Sequence, residues 1–439
     1  MSHATTKHKS SQGEKRKIVD DSRIAVIGLG YVGLPVALAF ARKFPTVGFD
    51  VYSSRIAALR NGRDMSGEVD VEALQHSSIE FNGDERAIAE CTVFIVTVPT
   101  PVDEANQPDL RKLTAASETV ARVLKHGDLV IYESTVYPGA TEEHCVPILE
   151  SGSGLVLNDD FLVGYSPERI NPGDRAHRLD NVVKVVAGSN ALALDRVDTL
   201  YSHVAKSGRY RAANIRTAEM AKIIENTQRD LNIALMNEVA LICNKLDIDT
   251  GDVLDAANTK WNFLRFTPGL VGGHCVGVDP YYLTYKAREI GHEPEVILAG
   301  RRINNAMPSI VAARITEMLL ARRSTPANAR ALVLGVAFKQ DCPDVRNSKS
   351  VDLIEALQSK GMVVDAFDPV VSRAESAVPL SVRLREVPAR GAYDVVVLAV
   401  AHREILDLGN KKIQSFVREH CVLFDVQRVL PREVVSGRL

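Results

Sequence analysis

The sequence predicts an α/β protein in which two doubly wound parallel-sheet domains are joined by a long central helix and a helical middle domain. Three observations lead there. Short, wholly apolar runs alternate with helical stretches over the first half of the chain, as expected for strands buried on both faces of a parallel sheet. The same alternation resumes over the last hundred or so residues. Between the two, the apolar period changes from that of strands to that of a helix.

The elements follow in order. Residues 1–21 are polar, with Lys7, Lys9, Lys15, Arg16 and Lys17, and read as a disordered tail. The run IAVIG (24–28) is a strand, 34–43 a helix and VGFDV (47–51) a second strand, which together make one βαβ unit. Buried strands are expected at 92–99, 128–135, 161–167 and 182–188, all parallel, in a first domain spanning 22–212. From 216 to about 246 the pattern is one long helix. Met220, Ile224, Leu231 and Leu235 form an apolar stripe on it, with Lys222, Asn226 and Arg229 opposite. This helix opens a middle domain, 213–325, expected to link the sheets and to offer a dimer surface. The last domain, 326–439, has strands at 331–338, 361–369, 393–402 and 421–427.

Composition narrows the function. With 46% hydrophobic and 25% charged residues among 439, the chain has an ordinary globular make-up and enough length for several domains. A formal net charge of -2 gives no field for nucleic acid or an anionic membrane. No apolar run approaches the roughly 18 residues of a membrane-spanning helix, and the N-terminus lacks a signal peptide's apolar core. Cys91, Cys145, Cys243, Cys275, Cys342 and Cys421 show no paired spacing and read as reduced thiols in the cytoplasm. No Cys/His spacing suits a metal, so none is expected.

The first motif is Gly28-Leu29-Gly30-Tyr31-Val32-Gly33, between a strand and a helix. Gly28 permits the tight turn, Gly30 lets the backbone approach a pyrophosphate, and Gly33 lets helix and strand pack closely. The helix N-terminus offers free N–H groups to phosphate. Asp50 closes the second strand, where a carboxylate accepts from both adenosine ribose hydroxyls and repels a 2′-phosphate. The pattern predicts a Rossmann-like domain that binds NAD rather than NADP.

The second informative stretch is 268–280, PGLVGGHCVGVDP. Cys275 lies in glycine-rich backbone, four residues before Asp279. A thiol so placed can attack an aldehyde, and the thiohemiacetal can give up a hydride. A lone cysteine is more often a small buried hydrophobe, but the glycines and Asp279 favour the nucleophile. Lys222 and Asn226 share a helix face. They can hold an oxyanion or a water, or form a solvated polar face, which on the residues alone is the stronger reading.

Taken with these motifs, the chain from Arg23 onward resembles the UDP-glucose/GDP-mannose dehydrogenase family. The resemblance rests on GLGYVGLP (28–35), VPTP (98–101), ESTVYPG (133–139), SPERINPG (166–173), AEMAKIIEN (218–226), GGHC (272–275) and GVAFKQDCPDVRNS (335–348). Within the family it is most similar to the UDP-N-acetylglucosamine/UDP-N-acetylgalactosamine 6-dehydrogenase branch, the Vi capsular polysaccharide type. UDP-glucose enzymes usually carry lysine where this chain has Val278, and Glu-Ser-Pro near 347–349. Both departures disfavour UDP-glucose.

The resemblance implies NAD-dependent four-electron oxidation of the C6 hydroxyl of UDP-N-acetylglucosamine to UDP-N-acetylglucosaminuronic acid, for surface polysaccharide biosynthesis. UDP-N-acetylgalactosamine is the alternative substrate. Cys275 would carry the thioester. Lys222 and Asn226 would stabilise the oxyanion and position water, Asp279 would orient that water or tune Lys222, and Glu168 would act as general base. Thr135 would lie near the nicotinamide. Tyr31, Val32, Arg55, Thr100 and Arg346 would join Gly28, Gly30, Gly33 and Asp50 at the cofactor. Arg169, Gly272 and Lys339 would contact substrate, as would Arg301, which with Arg302 opens a stretch that often reaches the partner subunit's substrate in the family. A homodimer or higher homo-oligomer is implied. In the last domain Gly335 is followed by Val336, Ala337 and Phe338 rather than a second glycine fingerprint, which suits the UDP half of the substrate. Two rivals stand beside this reading: a two-electron β-hydroxyacid dehydrogenase, with one NADH and no use for Cys275, and a non-catalytic sensor of NAD or UDP-sugar.

Overall fold

A computed structural model describes residues 22–65, 67, 69–169, 179–373 and 378–439. The expected tail at 1–21, and residues 170–173 of the SPERINPG motif, lie outside them. The chain divides into two compact units: residues 22–224 with 281–290, and 225–280 with 291–439. The stretch expected as a separate middle domain therefore contributes to both.

The first unit is built on an eight-stranded sheet. Its strands are β1 (Ile24–Ile27), β2 (Thr46–Phe49), β3 (Glu80–Asn82), β4 (Val93–Val96), β5 (Leu129–Tyr132), β6 (Leu162–Tyr165), β7 (Lys184–Gly188) and β8 (Arg209–Arg211). The order is β3-β2-β1-β4-β5-β6-β7-β8, a doubly wound sheet with ligand-binding loops at the carboxyl ends of its strands. Each of β1, β2, β4, β5 and β6 is buried along its whole length, which is why they read as unbroken apolar runs. The expectation of parallel strands throughout fails at one place: β7 runs antiparallel to β6, pairing Gly164 with Gly188 and Tyr165 with Ala187. An antiparallel neighbour needs no helical crossover, and a large parallel sheet commonly takes one near its edge.

The second unit carries β9 (Arg330–Leu334), β10 (Val363–Phe367), β11 (Arg383–Leu384), β12 (Tyr393–Leu398), β13 (Val417–Asp425) and β14 (Gly437–Arg438). Their order, β11-β10-β9-β12-β13-β14, repeats that of the first six strands, and every pairing is parallel. The same architecture is used twice.

The long helix spans Ile215–Lys245, and its polarity is the reverse of what amphipathic spacing suggests. Met220, Ile224 and Leu235 are 39%, 45% and 53% exposed. Glu219, Lys222, Asn226, Asp230 and Asn237 are buried. The solvated-polar-face reading of Lys222 and Asn226 is thus overturned. Such a face is tolerable only if its groups find partners, and nearly all do. Arg301 pairs with Asp230 at 2.7 Å. Asn304 donates to Asp230 Oδ1 at 2.7 Å and Asn237 donates to Asn304 at 2.8 Å. Asn237 also closes a reciprocal pair with the Gly269 backbone.

Candidate active site

The glycine loop after β1 has the backbone geometry that the three expected tasks require. Gly28 has φ +92°. A Cβ on Gly33 would stand 1.8 Å from the Gly28 carbonyl oxygen, so strand and helix touch there. Around Gly30 nothing lies within 4 Å of a built Cβ, leaving the approach open. The helix that follows, Gly33–Ala41, has no side-chain cap and no acid in its first turn, so its N–H groups and positive dipole end are available to phosphate. Asp50 accepts from Leu29 N at 2.8 Å and Tyr52 N at 3.0 Å and keeps lone pairs for ribose hydroxyls. Arg55 supports the loop from below: it donates to the Leu29 carbonyl at 2.9 Å and pairs with Asp64 at 2.8 Å. Tyr31 and Val32 are partly exposed in this loop. The residues present fit a dinucleotide.

Beyond β5, the ESTVYPG loop is fixed on both sides. Thr100 donates to the Thr135 carbonyl at 2.5 Å, which brings those two expected cofactor residues together. Glu219, on the long helix, accepts from Gly139 N at 2.6 Å and Thr141 N at 3.0 Å. Burial outweighs these two donors and raises its pKa from 4.5 to about 7. One turn further along the same helix Lys222 is only 7% exposed. No hydrogen bond or ion pair occupies its ammonium among the described residues.

Glu168, just past β6, is buried and accepts from Arg169 N at 2.7 Å. The Arg169 guanidinium turns away to the Val183 carbonyl. Beside Glu168 lies a set that sequence reasoning missed. Lys184 Nζ is 2.7 Å from Glu133 Oε2 and 3.7 Å from Glu168 Oε2. Tyr201 donates to the other Glu133 oxygen. A signal was present: Lys184 is the lone charge in the apolar run VVKVVAG, and a charge inside a buried strand must have a partner.

In the second unit Cys275 is half-buried and in no disulfide. Its carbonyl accepts from Asp279 N at 2.8 Å, so the carboxylate stands one helical turn away. Asn226 donates to Asp279 Oδ2 at 2.5 Å. Three expected catalytic residues, Cys275, Asp279 and Asn226, are therefore brought together. The cysteine loop is pinned to the 335–348 loop. A Cβ on Gly272 would meet the Asn347 carbonyl at 2.3 Å, and one on Gly273 would meet the Phe338 ring at 2.4 Å. His274 bonds Asp344 at 2.8 Å. Lys339 is half-buried in that second loop. Val278 is buried. Arg346 is exposed and pairs with Asp344. Arg301, expected to reach toward a partner's substrate, is instead buried in the Asp230 pair, where its charge is compensated; Arg302 is the exposed neighbour.

The first nucleotide loop has a counterpart here. Gly28 N donates to Phe49 O and Leu29 N to Asp50; Gly335 N donates to Phe367 O and Val336 N to Asp368. Asp368 is fully buried, however, and already engaged by Ala337 N and His402 Nε2. It has no face left for a ribose, so the second copy is not a second dinucleotide site.

An open glycine fingerprint, an uncapped helix and a ribose-type carboxylate define an NAD-dependent oxidoreductase. Comparison with known proteins gives the lineage. Three family models match in succession: the UDP-glucose/GDP-mannose dehydrogenase family NAD binding domain (22–205), central domain (216–306) and UDP binding domain (332–432). The chain belongs to the UDP-glucose/GDP-mannose dehydrogenase family. It is 51% identical over 420 residues to UDP-N-acetyl-D-glucosamine 6-dehydrogenase of Pseudomonas aeruginosa, covering 95% of this chain and 100% of that one. To the Salmonella typhi protein of the same name it is 48% identical, covering 96% and 99%. Among solved structures, the UDP-D-ManNAc dehydrogenase of Pyrococcus horikoshii matches with TM-score 0.85 at 33% identity, covering 95% of this chain and 98% of that one.

Proposed function

We propose that the protein oxidises the C6 alcohol of UDP-N-acetylglucosamine to the carboxylate by way of a thioester on Cys275. The substrate follows the two relatives at 51% and 48% identity, both named for UDP-N-acetyl-D-glucosamine. The chemistry follows one observation above all: Asn226 donates to the Asp279 carboxylate, Asp279 N donates to the Cys275 carbonyl, and Lys222 lies one turn from Asn226 on the same helix. Bound NAD supplies the hydride acceptor, twice per sugar.

The residues divide the work. Lys222 and Asn226 hold the oxygen at C6 as it gains charge. The Cys275 thiolate adds to the C6 aldehyde, forming a C–S bond before the aldehyde can leave. After the second oxidation the carbon is an acyl thioester. Glu168 takes a proton from water, the water oxygen bonds to C6, and the C–S bond breaks to return the Cys275 thiolate. Thr135, its carbonyl held by Thr100, would hold the nicotinamide end of a bound NAD; Arg169, Gly272 and Lys339 would serve the nucleotide sugar.

The variant Cys275→Ser tests the covalent route. It should bind the sugar nucleotide as the wild type does and release no acid. Acid formation at the wild-type rate would exclude a thioester.

We also infer a homodimer through the long helix. Met220, Ile224, Leu235 and Ile242, all exposed, line one stripe, and a stripe along a helix is self-complementary about a two-fold axis. Light scattering should give twice the 48.0 kDa chain mass; a monomer that is fully active would refute it.

A further inference from the structure

Glu219 is fully buried on the long helix, where burial disfavours a carboxylate. Its partners show where it acts. Gly139 N and Thr141 N donate to opposite oxygens of the carboxyl, at 2.6 and 3.0 Å. The local backbone aims both amides at it. Gly139 has φ +100°, and Thr141–Cys145 is wound as a π-turn, a wide turn that recurs at functional sites.

The outer side of the same turn is met by ion pairs. Arg216 lies 3.1 Å from Glu142 and 3.3 Å from Glu143, and Lys286 lies 2.7 Å from Glu143. These pairs are open to solvent, and such pairs fix a backbone weakly. The two bonds to Glu219 are buried and fix it firmly.

The turn ends the loop that carries Thr135. Val136, Tyr137 and Ala140 along that loop are buried, so packing transmits a shift at Gly139 toward Thr135. On the helix side, Lys222 follows Glu219 by three residues. Both side chains leave the helix on one face, and Lys222 is buried too. Glu219 is therefore a direct bond between the helix turn bearing Lys222 and the loop bearing Thr135.

We propose that Glu219 is a positioning residue for hydride transfer: by holding the 139–141 turn to the long helix, it sets the Thr135 loop in register with Lys222. This rests on the proposed service of Thr135 to the nicotinamide and of Lys222 to the C6 oxygen. In the step concerned the C6–H bond breaks, the hydrogen leaves with its electron pair to NAD, and the hydroxyl proton is released as the alcohol becomes an aldehyde. Misplacement by about 1 Å slows such a step on the order of 100-fold.

Glu219→Gln keeps the size of the side chain, leaves one acceptor, and turns an amide donor on the second N–H. Two measurements on the full chain test it. Without ligands, amide hydrogen exchange across 136–145 should run several-fold faster than in the wild type. With saturating NAD and UDP-N-acetylglucosamine, stopped-flow absorbance of the first NADH should show a rate about 10- to 100-fold lower. Sugar deuterated at C6 identifies that phase as the hydride step. Unfolded protein lowers the amplitude of the phase and leaves its rate alone, so lost stability is told apart from lost register. Should Glu219→Gln fail to fold, Glu219→Asp, which keeps the charge on a shorter stem, is measured in the same way with the same expectation. Wild-type behaviour in both measurements, or a change in one without the other, overturns the proposal. Lys222→Met and Thr135→Ala separate it from the reading beneath. If Lys222→Met transfers hydride at the wild-type rate, or Thr135→Ala alters neither that rate nor NAD affinity, the reading fails and the Glu219 proposal with it. If both are impaired while Glu219→Gln is not, the reading stands and the Glu219 proposal alone fails.

Discussion

At the scale of single residues, the glycine fingerprint shows how much a short motif determines. Three glycines recur in one loop for three physical reasons, and substitution separates them. Gly33→Ala places a methyl 1.8 Å from the Gly28 carbonyl, so helix and strand must part. Stability should fall by about 1–3 kcal/mol or more, and NAD affinity should fall with it. Gly30→Ala meets nothing within 4 Å. It should unfold at the wild-type temperature and, on the proposal that a pyrophosphate approaches the backbone here, bind NAD weakly. Calorimetric melting and NAD titration of both variants check this; equal loss of stability in the two would contradict it. These roles were legible because they are local in sequence. The Glu133–Lys184–Glu168 cluster was not, since its members are joined only by the sheet.

At the scale of elements, the long helix shows where periodicity stops. Spacing found the stripe of Met220, Ile224 and Leu235, but it cannot say which side faces inward. That is decided by partners distant in sequence: Gly139 and Thr141 for Glu219, Asp279 for Asn226, Arg301 for Asp230. Short edge strands such as β8 and β11 escaped for a related reason. At three and two residues they carry too few positions for a pattern. The buried Glu219 also gives the helix a pH signature. Its pKa in the folded chain, about 7, lies above the ordinary 4.5, so the native state holds the proton more tightly than the unfolded state. The associated stability is present below about pH 4.5 and is lost as pH rises through about 7. Glu219→Gln cannot ionise. Relative to the wild type it should therefore gain stability between pH 5 and pH 8, by up to roughly 3 kcal/mol. Denaturant unfolding at both pH values measures this, and a difference independent of pH would show that Glu219 does not titrate in that range.

At the scale of the whole molecule, one sheet order serves twice with different results. In the first copy Asp50 remains available to a ribose; in the second Asp368 is sealed by His402. The strand runs made both sheets readable, and the missing second fingerprint pointed to different ligands, yet the sealing of Asp368 required His402 from far along the chain. The antiparallel β7 was likewise invisible, because an apolar run does not declare its direction. What the chain as a whole catalyses is best judged by counting electrons. The measurement is NADH formed per sugar consumed, with UDP-N-acetylglucosamine, UDP-N-acetylgalactosamine and UDP-glucose run in parallel. Two NADH per UDP-N-acetylglucosamine, with slower or no turnover of the other two, is the predicted result. One NADH per sugar would contradict the thioester route and favour a two-electron dehydrogenase, and preference for UDP-glucose would contradict the substrate assignment.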